Sequence, residues 1–253
     1  MKTVLSNKGF RLFVILGGFF IANALVAEFI GVKIFSLEGT LGWQPLFGKD
    51  TPFMFSAGTI LWPIVFIMTD LINEYYGVRG VKMLSYMAAG LISYAFVMVY
   101  LAIHATPADF WITQNQATGV DNMQVAFANV YGQSNWIIVG SLVAFLIGQV
   151  IDAYVFQRIR TWLGEQKVWL RATISTLVSQ LFDSFIVLYI AFVLGPANWS
   201  LDLFFQVGSN NYVYKVLMAI LLIPLLYLVR FLINRYLGEK LSRRLQKEAV
   251  GRN

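Results

Sequence analysis

Cysteine is absent from this chain, and histidine occurs once, at His104. The first absence excludes disulfides, iron–sulfur clusters and thiolate metal sites; the second excludes a His-rich metal centre. The acidic residues show no metal-ligand spacing such as HExxH, so neither a metal nor a cofactor is expected. No GxxxxGK[ST] phosphate loop occurs, which leaves the chain without an ATPase site of its own. No GxSxG occurs either, and the lone histidine has no serine partner in sequence, so no catalytic residue is expected. Only a pair of membrane aspartates, Asp152 and Asp183, keeps an aspartyl enzyme conceivable, and motif-free carboxylate pairs are weak evidence. Charge is scarce as well: 13% of the 253 residues, against about 25% in a soluble domain. The alternating ten-residue segments of a spanning β-barrel are missing.

Apolar residue is what the chain has in quantity, at 58%, with a mean hydropathy of +0.67. It falls into six runs, roughly 11–33, 53–73, 81–103, 135–157, 173–195 and 212–234. Each is about 20 residues or slightly longer, enough for about 30 Å of hydrocarbon. The expected fold is an all-α polytopic membrane protein of six transmembrane helices, one domain over 1–253. Two longer connections, 34–52 and 104–134, interrupt the runs. Basic residues set the orientation. Lys2, Lys8 and Arg11 precede the first run, Arg79 and Lys82 follow the second, and Arg158, Arg160, Lys167 and Arg171 follow the fourth. Arg230 and the basic tail 235–253 close the chain, while the other connections hold only Lys33 and Lys49. The positive-inside rule then places both termini in the cytoplasm. The net charge of +6 is thereby assigned to the membrane surface and lipid headgroups, not to nucleic acid. A secretory signal peptide is the competing reading of the N-terminus, with Ala22-Asn23-Ala24 resembling a cleavage site. Apolar sequence continues past it, and cleavage would remove a span that the topology uses.

Charges inside such spans cost about 2.5–3.5 kcal/mol each at the bilayer centre, so they are candidate functional residues. Asp183 lies about 15 Å from either surface at 1.5 Å per residue, too deep to be a rim residue. It belongs to a repeated Gln-x-x-Asp pair, Gln149/Asp152 and Gln180/Asp183. An i,i+3 spacing sets amide and carboxylate side by side. Together they can read the edge of a planar nitrogen heterocycle with adjacent N–H donors, such as a guanine-like base. The bland alternative is polar glue between helices. In Thr69-Asp70-Leu-Ile-Asn73-Glu74-Tyr-Tyr-Gly77, Asp70 and Glu74 share a helical face with Asn73 adjacent. That stretch is a site of paired carboxylates or a polar helix end with Gly77 as its left-handed cap. Glu28 and Lys215 fall at similar depth and are candidates for an ion pair. Asn23 adds a polar group near Glu28, and Asp152 at the inner rim has Arg171 as a candidate partner.

Gly140, Ala144 and Gly148 form a small-xxx-small stripe that leads to Asp152 and turns it towards a neighbouring helix. The stripe leaves open a homodimer or contacts within one chain. Pro63 and Pro224 fall near the middle of the second and sixth runs, where each can kink its helix.

The Thr69–Gly77 stretch resembles the hallmark of the YhhQ-type queuosine precursor transporters, in the vitamin uptake transporter group. Gln149-Val-Ile-Asp152-Ala-Tyr-Val-Phe156, Trp169-Leu-Arg171-Ala-Thr-Ile-Ser175-Thr and Ser179-Gln180-Leu-Phe-Asp183 also match. Lys215 followed by Pro224 fits as well. The chain departs from the family pattern at Ala172, where Asn is usual. The resemblance implies a bacterial inner-membrane importer of 7-cyano- or 7-aminomethyl-7-deazaguanine for tRNA modification, with six spans and no ATPase domain. On that reading Asp183, Gln180, Asp152 and Gln149 hold the purine-like base. Asp70, Asn73 and Glu74 form the inner path or its gate, and Arg171 and Lys215 balance the carboxylates. Glu28 and Asn23 border the site. The alternative is a substrate-capture subunit of an ATP-driven vitamin-type transporter. Such subunits offer an alanine-rich docking stripe in the first span, and here Ala22–Ala27 shows no alanine repeat at spacing four.

Overall fold

A computed structural model describes residues 7–43, 54–132, 135–163 and 168–251. Lys2, Lys49, Lys167 and Arg252, four of the charges used for orientation, lie outside the described residues. The elements in chain order are α1 (Lys8–Ile30), a hairpin of β1 (Ile34–Ser36) and β2 (Met54–Ser56), and α2 (Leu37–Leu41) between them. Then come α3 (Trp62–His104), the short α4 (Asp109–Ile112) and α5 (Met123–Tyr131), and α6 (Asn135–Leu163). The chain ends with α7 (Val168–Leu188), α8 (Leu201–Leu221), α9 (Ile223–Leu237) and α10 (Glu239–Gly251). Among the described residues, four helical segments are long and apolar enough to cross a membrane, and the pair α8–α9, bent by 45°, makes a fifth. This is an all-α membrane protein.

The 43-residue helix α3 is not one rod. Gly77 has φ 69° and ψ −175°, and the chain doubles back there. The contacts with α1 trace the reversal. Gly58, just before α3, abuts Ala27 near one end of α1. The Tyr76 hydroxyl donates to the Gly9 carbonyl at the other end (2.7 Å). Phe96 then returns to Phe29, with ring centroids 5.6 Å apart. Limbs 62–76 and 78–104 are therefore antiparallel neighbours. The sequence expectation of two runs separated near Arg79 matches this hairpin, with the turn placed on the glycine.

Local signals set the other boundaries. Asn7 caps α1 by accepting from the Gly9 and Phe10 amides, and Ser200 caps α8 through the Leu203 amide. Pro63 occupies the first turn of α3, not its middle, so the kink expected there is replaced by a helix start. Its missing N–H falls among the amides that have no intrahelical acceptor in any case. Pro224 behaves as expected. It opens α9 directly after the 45° break at Leu222.

The bundle is apolar outside and polar inside, the arrangement required when the solvent is hydrocarbon. Ile15, Val97 and Leu217 are 62%, 57% and 61% exposed, while Asn73 and Arg171 are at 0%. Leu16, Phe20, Leu71, Val81 and Phe156 fill the centre between α1, α3 and α6. The small-residue stripe is used within the chain: an atom added at Gly140 would lie 3.1 Å from the Val187 carbonyl, and Gly148 faces Asp183 on the same helix, α7. Gly140→Leu is expected to cost about 1–3 kcal/mol by forcing α6 from α7. Gly18→Leu, at a position with nothing within 4 Å, serves as the neutral control in thermal melting of the detergent-solubilised protein. Equal melting temperatures for the two variants would show that the stripe does not set this contact.

Candidate functional site

Gln149 and Asp152 descend one face of α6, and Gln180 and Asp183 climb the facing side of α7. The Gly148 position lets the two backbones approach, with Asp183 Cβ 3.6 Å from where a Gly148 side chain would start. The structure brings all four residues to one cavity, about 230 Å³ with its mouth included, bordered by Trp62, Phe66 and Phe145. The i,i+3 pairs that are adjacent in sequence thus become a four-residue cluster through helix packing.

The polar atoms of this cavity are only partly satisfied. The Thr69 hydroxyl donates to Gln149 Oε1 (2.8 Å), so Gln149 is left as an amide donor. The Ser179 hydroxyl reaches Asp152 Oδ1 at 3.3 Å. Asp152 Oδ2 and Gln180 Oε1 are buried without a hydrogen-bond partner among the described residues. Buried orphan acceptors cost about 1–3 kcal/mol each unless something donates to them. A ligand with neighbouring N–H groups and one acceptor would satisfy this set, with the carboxylate and amide oxygens accepting and Gln149 donating. The aromatic walls suit a flat molecule: Trp62 and Phe145 have centroids 5.7 Å apart, and Trp62 and Phe66 lie nearly parallel at 6.1 Å.

The remaining candidates are spread over other places. Lys215 of α8 bonds Asp183 Oδ2 at 2.5 Å, and does not pair with Glu28. Gly208 against Phe185, and Tyr212 donating to the Leu177 carbonyl (3.2 Å), fix the α7–α8 register that aligns them. Glu28 accepts instead from the Ser141 hydroxyl at 3.1 Å. Ser141 lies about 10 Å from Gly148 along α6. Asn23 turns back to the Phe19 carbonyl of its own helix (2.8 Å). Asp70 lines a second cavity beside the first, together with Lys215.

Asn73 and Glu74 line neither cavity. Asn73 donates to the Ala153 carbonyl (3.0 Å), and Gln157 donates to both Asn73 oxygens, so its side chain clamps α3 to α6. Glu74 is the centre of an arginine cluster: Arg171 binds it most closely, Arg230 lies at 3.2 Å and Arg160 at 3.6 Å. Arg171 therefore has Glu74 as its ion-pair partner, where the sequence had pointed to Asp152. Arg160 and Arg230 did not stand out in sequence, because basic residues at the end of a span are indistinguishable from those that only set orientation. Among the described residues no group of three acidic or His side chains is placed to hold a metal.

Residues 56–229 match the family described as "Putative vitamin uptake transporter". The chain belongs to this family. It is 28% identical over 181 residues to a protein named "Probable queuosine precursor transporter" in Bacillus subtilis strain 168, covering 70% of this chain and 72% of that one. It is 25% identical over 180 residues to the "Queuosine precursor transporter" of Escherichia coli K12, covering 70% and 74%. A "Probable queuosine precursor transporter" of Haemophilus influenzae is 23% identical, covering 69% and 67%. No solved structure matches. The matched region runs from β2 into α9 and so contains the Thr69–Gly77 stretch, both Gln-x-x-Asp pairs and Lys215. The motif resemblance and the family assignment agree.

Proposed function

We propose that this chain carries a 7-deazaguanine precursor of queuosine, the 7-cyano or 7-aminomethyl base, across a bacterial inner membrane without an ATPase of its own. The observation that supports this most is the α6–α7 cavity, where Gln149, Asp152, Gln180 and Asp183 surround one small aromatic-walled space with two unpartnered acceptors. A guanine-type edge presents two adjacent N–H donors and a carbonyl, which complements Asp and Gln oxygens beside the Gln149 amide. The names of the relatives point to the same substrate class.

Six crossings with both termini cytoplasmic fit the architecture. The hairpin at Gly77 divides α3 into two limbs, and the bent pair α8–α9 serves as the last span. Arg160, Arg230 and α10 then gather at the cytoplasmic end, in keeping with the positive-inside rule.

The test is uptake of labelled 7-cyano- and 7-aminomethyl-7-deazaguanine into liposomes that hold only this protein. Wild type is expected to accumulate one or both bases, and Asp183→Asn to fall at least tenfold, since the change removes a charged acceptor worth about 1.5–3 kcal/mol. Binding without uptake would reveal dependence on an energising partner. Absence of both would refute the substrate assignment.

A further inference from the structure

Two cavities flank residues 62–66. One is the Gln149/Asp152/Gln180/Asp183 space. The other, about 600 Å³ with its mouth included, lies between the start of α3, α7 and the α8–α9 break, and is lined by Asp70, Thr173, Tyr214 and Lys215 among others. Trp62 and Phe66 line both cavities. Asp183 lines the first and Lys215 the second, and the two charges touch at 2.5 Å. The partition between the spaces therefore includes two aromatic rings and one ion pair.

This ion pair differs from the arginine cluster. Its side chains are 18% and 22% exposed, against 0% and 1% for Arg171 and Glu74. Contact with open space on both sides lowers the cost of separating the charges. A second acceptor is also at hand. Asp70 Oδ1 is buried in the Lys215 cavity without a hydrogen-bond partner among the described residues. An ammonium that leaves Asp183 thus has another carboxylate facing the same space, and a four-carbon stem allows it to swing. The 45° bend follows at Leu222, about two turns beyond Lys215.

We propose that the Asp183–Lys215 ion pair, which borders the two cavities alongside Trp62 and Phe66, is the gate that separates them. A ligand whose N–H groups take Asp183 displaces Lys215 towards Asp70, so that binding in the first cavity and opening to the second are one event. This rests on the transport reading above for the ligand, but the gate itself can be tested without one.

The absence of cysteine allows a direct test, because any cysteine introduced is the sole thiol. Ser179→Cys reports on the first cavity and Thr173→Cys on the second. The probe is a small methanethiosulfonate reagent applied to the purified protein. With Lys215 present, Ser179→Cys is expected to react slowly. Lys215→Met is expected to raise that rate at least tenfold, and Asp183→Asn, which breaks the same pair from the other side, to do likewise. Thr173→Cys should change by less than twofold in both backgrounds. Unchanged Ser179→Cys rates in both backgrounds would overturn the gate. A parallel rise at both reporter positions would also overturn it, by revealing general loosening. Fast labelling together with failed uptake of 7-deazaguanines would keep the gate and reject the substrate.

Discussion

Glu74→Ala is expected to destabilise the bundle by about 3–5 kcal/mol, the range for removing one partner from a buried ion pair. The carboxylate is 1% exposed and meets three guanidinium groups from three different helices, Arg160 of α6, Arg171 of α7 and Arg230 of α9. Its removal leaves three like charges facing one another in a space that water scarcely reaches. Two of them are also braced by other bonds. Arg160 donates to the Glu74 and Gln246 carbonyls, and Arg171 stacks over Phe156 at 5.1 Å. These contacts prevent the arginines from swinging out to solvent. Glu74→Gln keeps the volume and one acceptor but not the charge, so it is expected to fall nearly as far, roughly 10 °C in melting temperature. Arg230→Met should cost much less, because Arg230 is 19% exposed and Glu74 retains two partners. Thermal melting in one detergent settles the ranking. A Glu74→Gln protein that melted within about 2 °C of wild type would show that charge balance does not hold this end together.

Gly77→Ala is expected to be nearly as damaging, for a steric reason. With φ 69° and ψ −175° the residue lies in a region that is essentially glycine-only, worth about 1–3 kcal/mol of strain for any side chain. A methyl group there would also sit 2.6 Å from the Ala249 carbonyl of α10. Because that neighbour is backbone, the methyl cannot be accommodated by a rotamer change. Either the hairpin opens or α10 lifts away. Lifting would strip the Arg160–Gln246 bond (2.8 Å) and the Ser242–Asn234 bond (2.5 Å), and would expose Ala249, now fully buried. Limited proteolysis measures the second route: α10 should become cleavable in Gly77→Ala at protease levels that leave the wild type whole. Unaltered melting and an intact α10 would show that the turn tolerates a side chain.

Much of the candidate site was legible because its residues break the chemistry of their surroundings. Asp183, Gln180, Asp152 and Gln149 are polar positions in apolar runs, and the cost of burying them singles them out without knowledge of any contact. The small-residue stripe from Gly140 to Gly148 correctly turned Asp152 inward, since backbones approach only where side chains are absent. The partners were not legible. Lys215 matched Glu28 by depth along the helix, but the α7–α8 register gives it to Asp183 instead. Asn73 and Glu74 share a motif with Asp70, but the helix turns only Asp70 to a cavity and gives the other two to interhelical bonds. Pro63 read as a kink because the apolar run began nine residues before the helix did; β2 and a 3-10 turn occupy that stretch.

By itself, the sequence determined that this is a helical membrane protein, roughly where its spans lie and which polar residues they hide. Those properties follow from composition and period, which act along the chain and do not depend on what packs against what. The tertiary structure alone decided that four polar residues from two helices close on one cavity, that three rim arginines converge on Glu74, and that Lys215 and Asp183 stand between two spaces. Each of these depends on the rotation and register of one helix against another. That relation is set by a few close contacts at Gly148, Gly208 and Gly77, and it leaves no periodic trace in sequence.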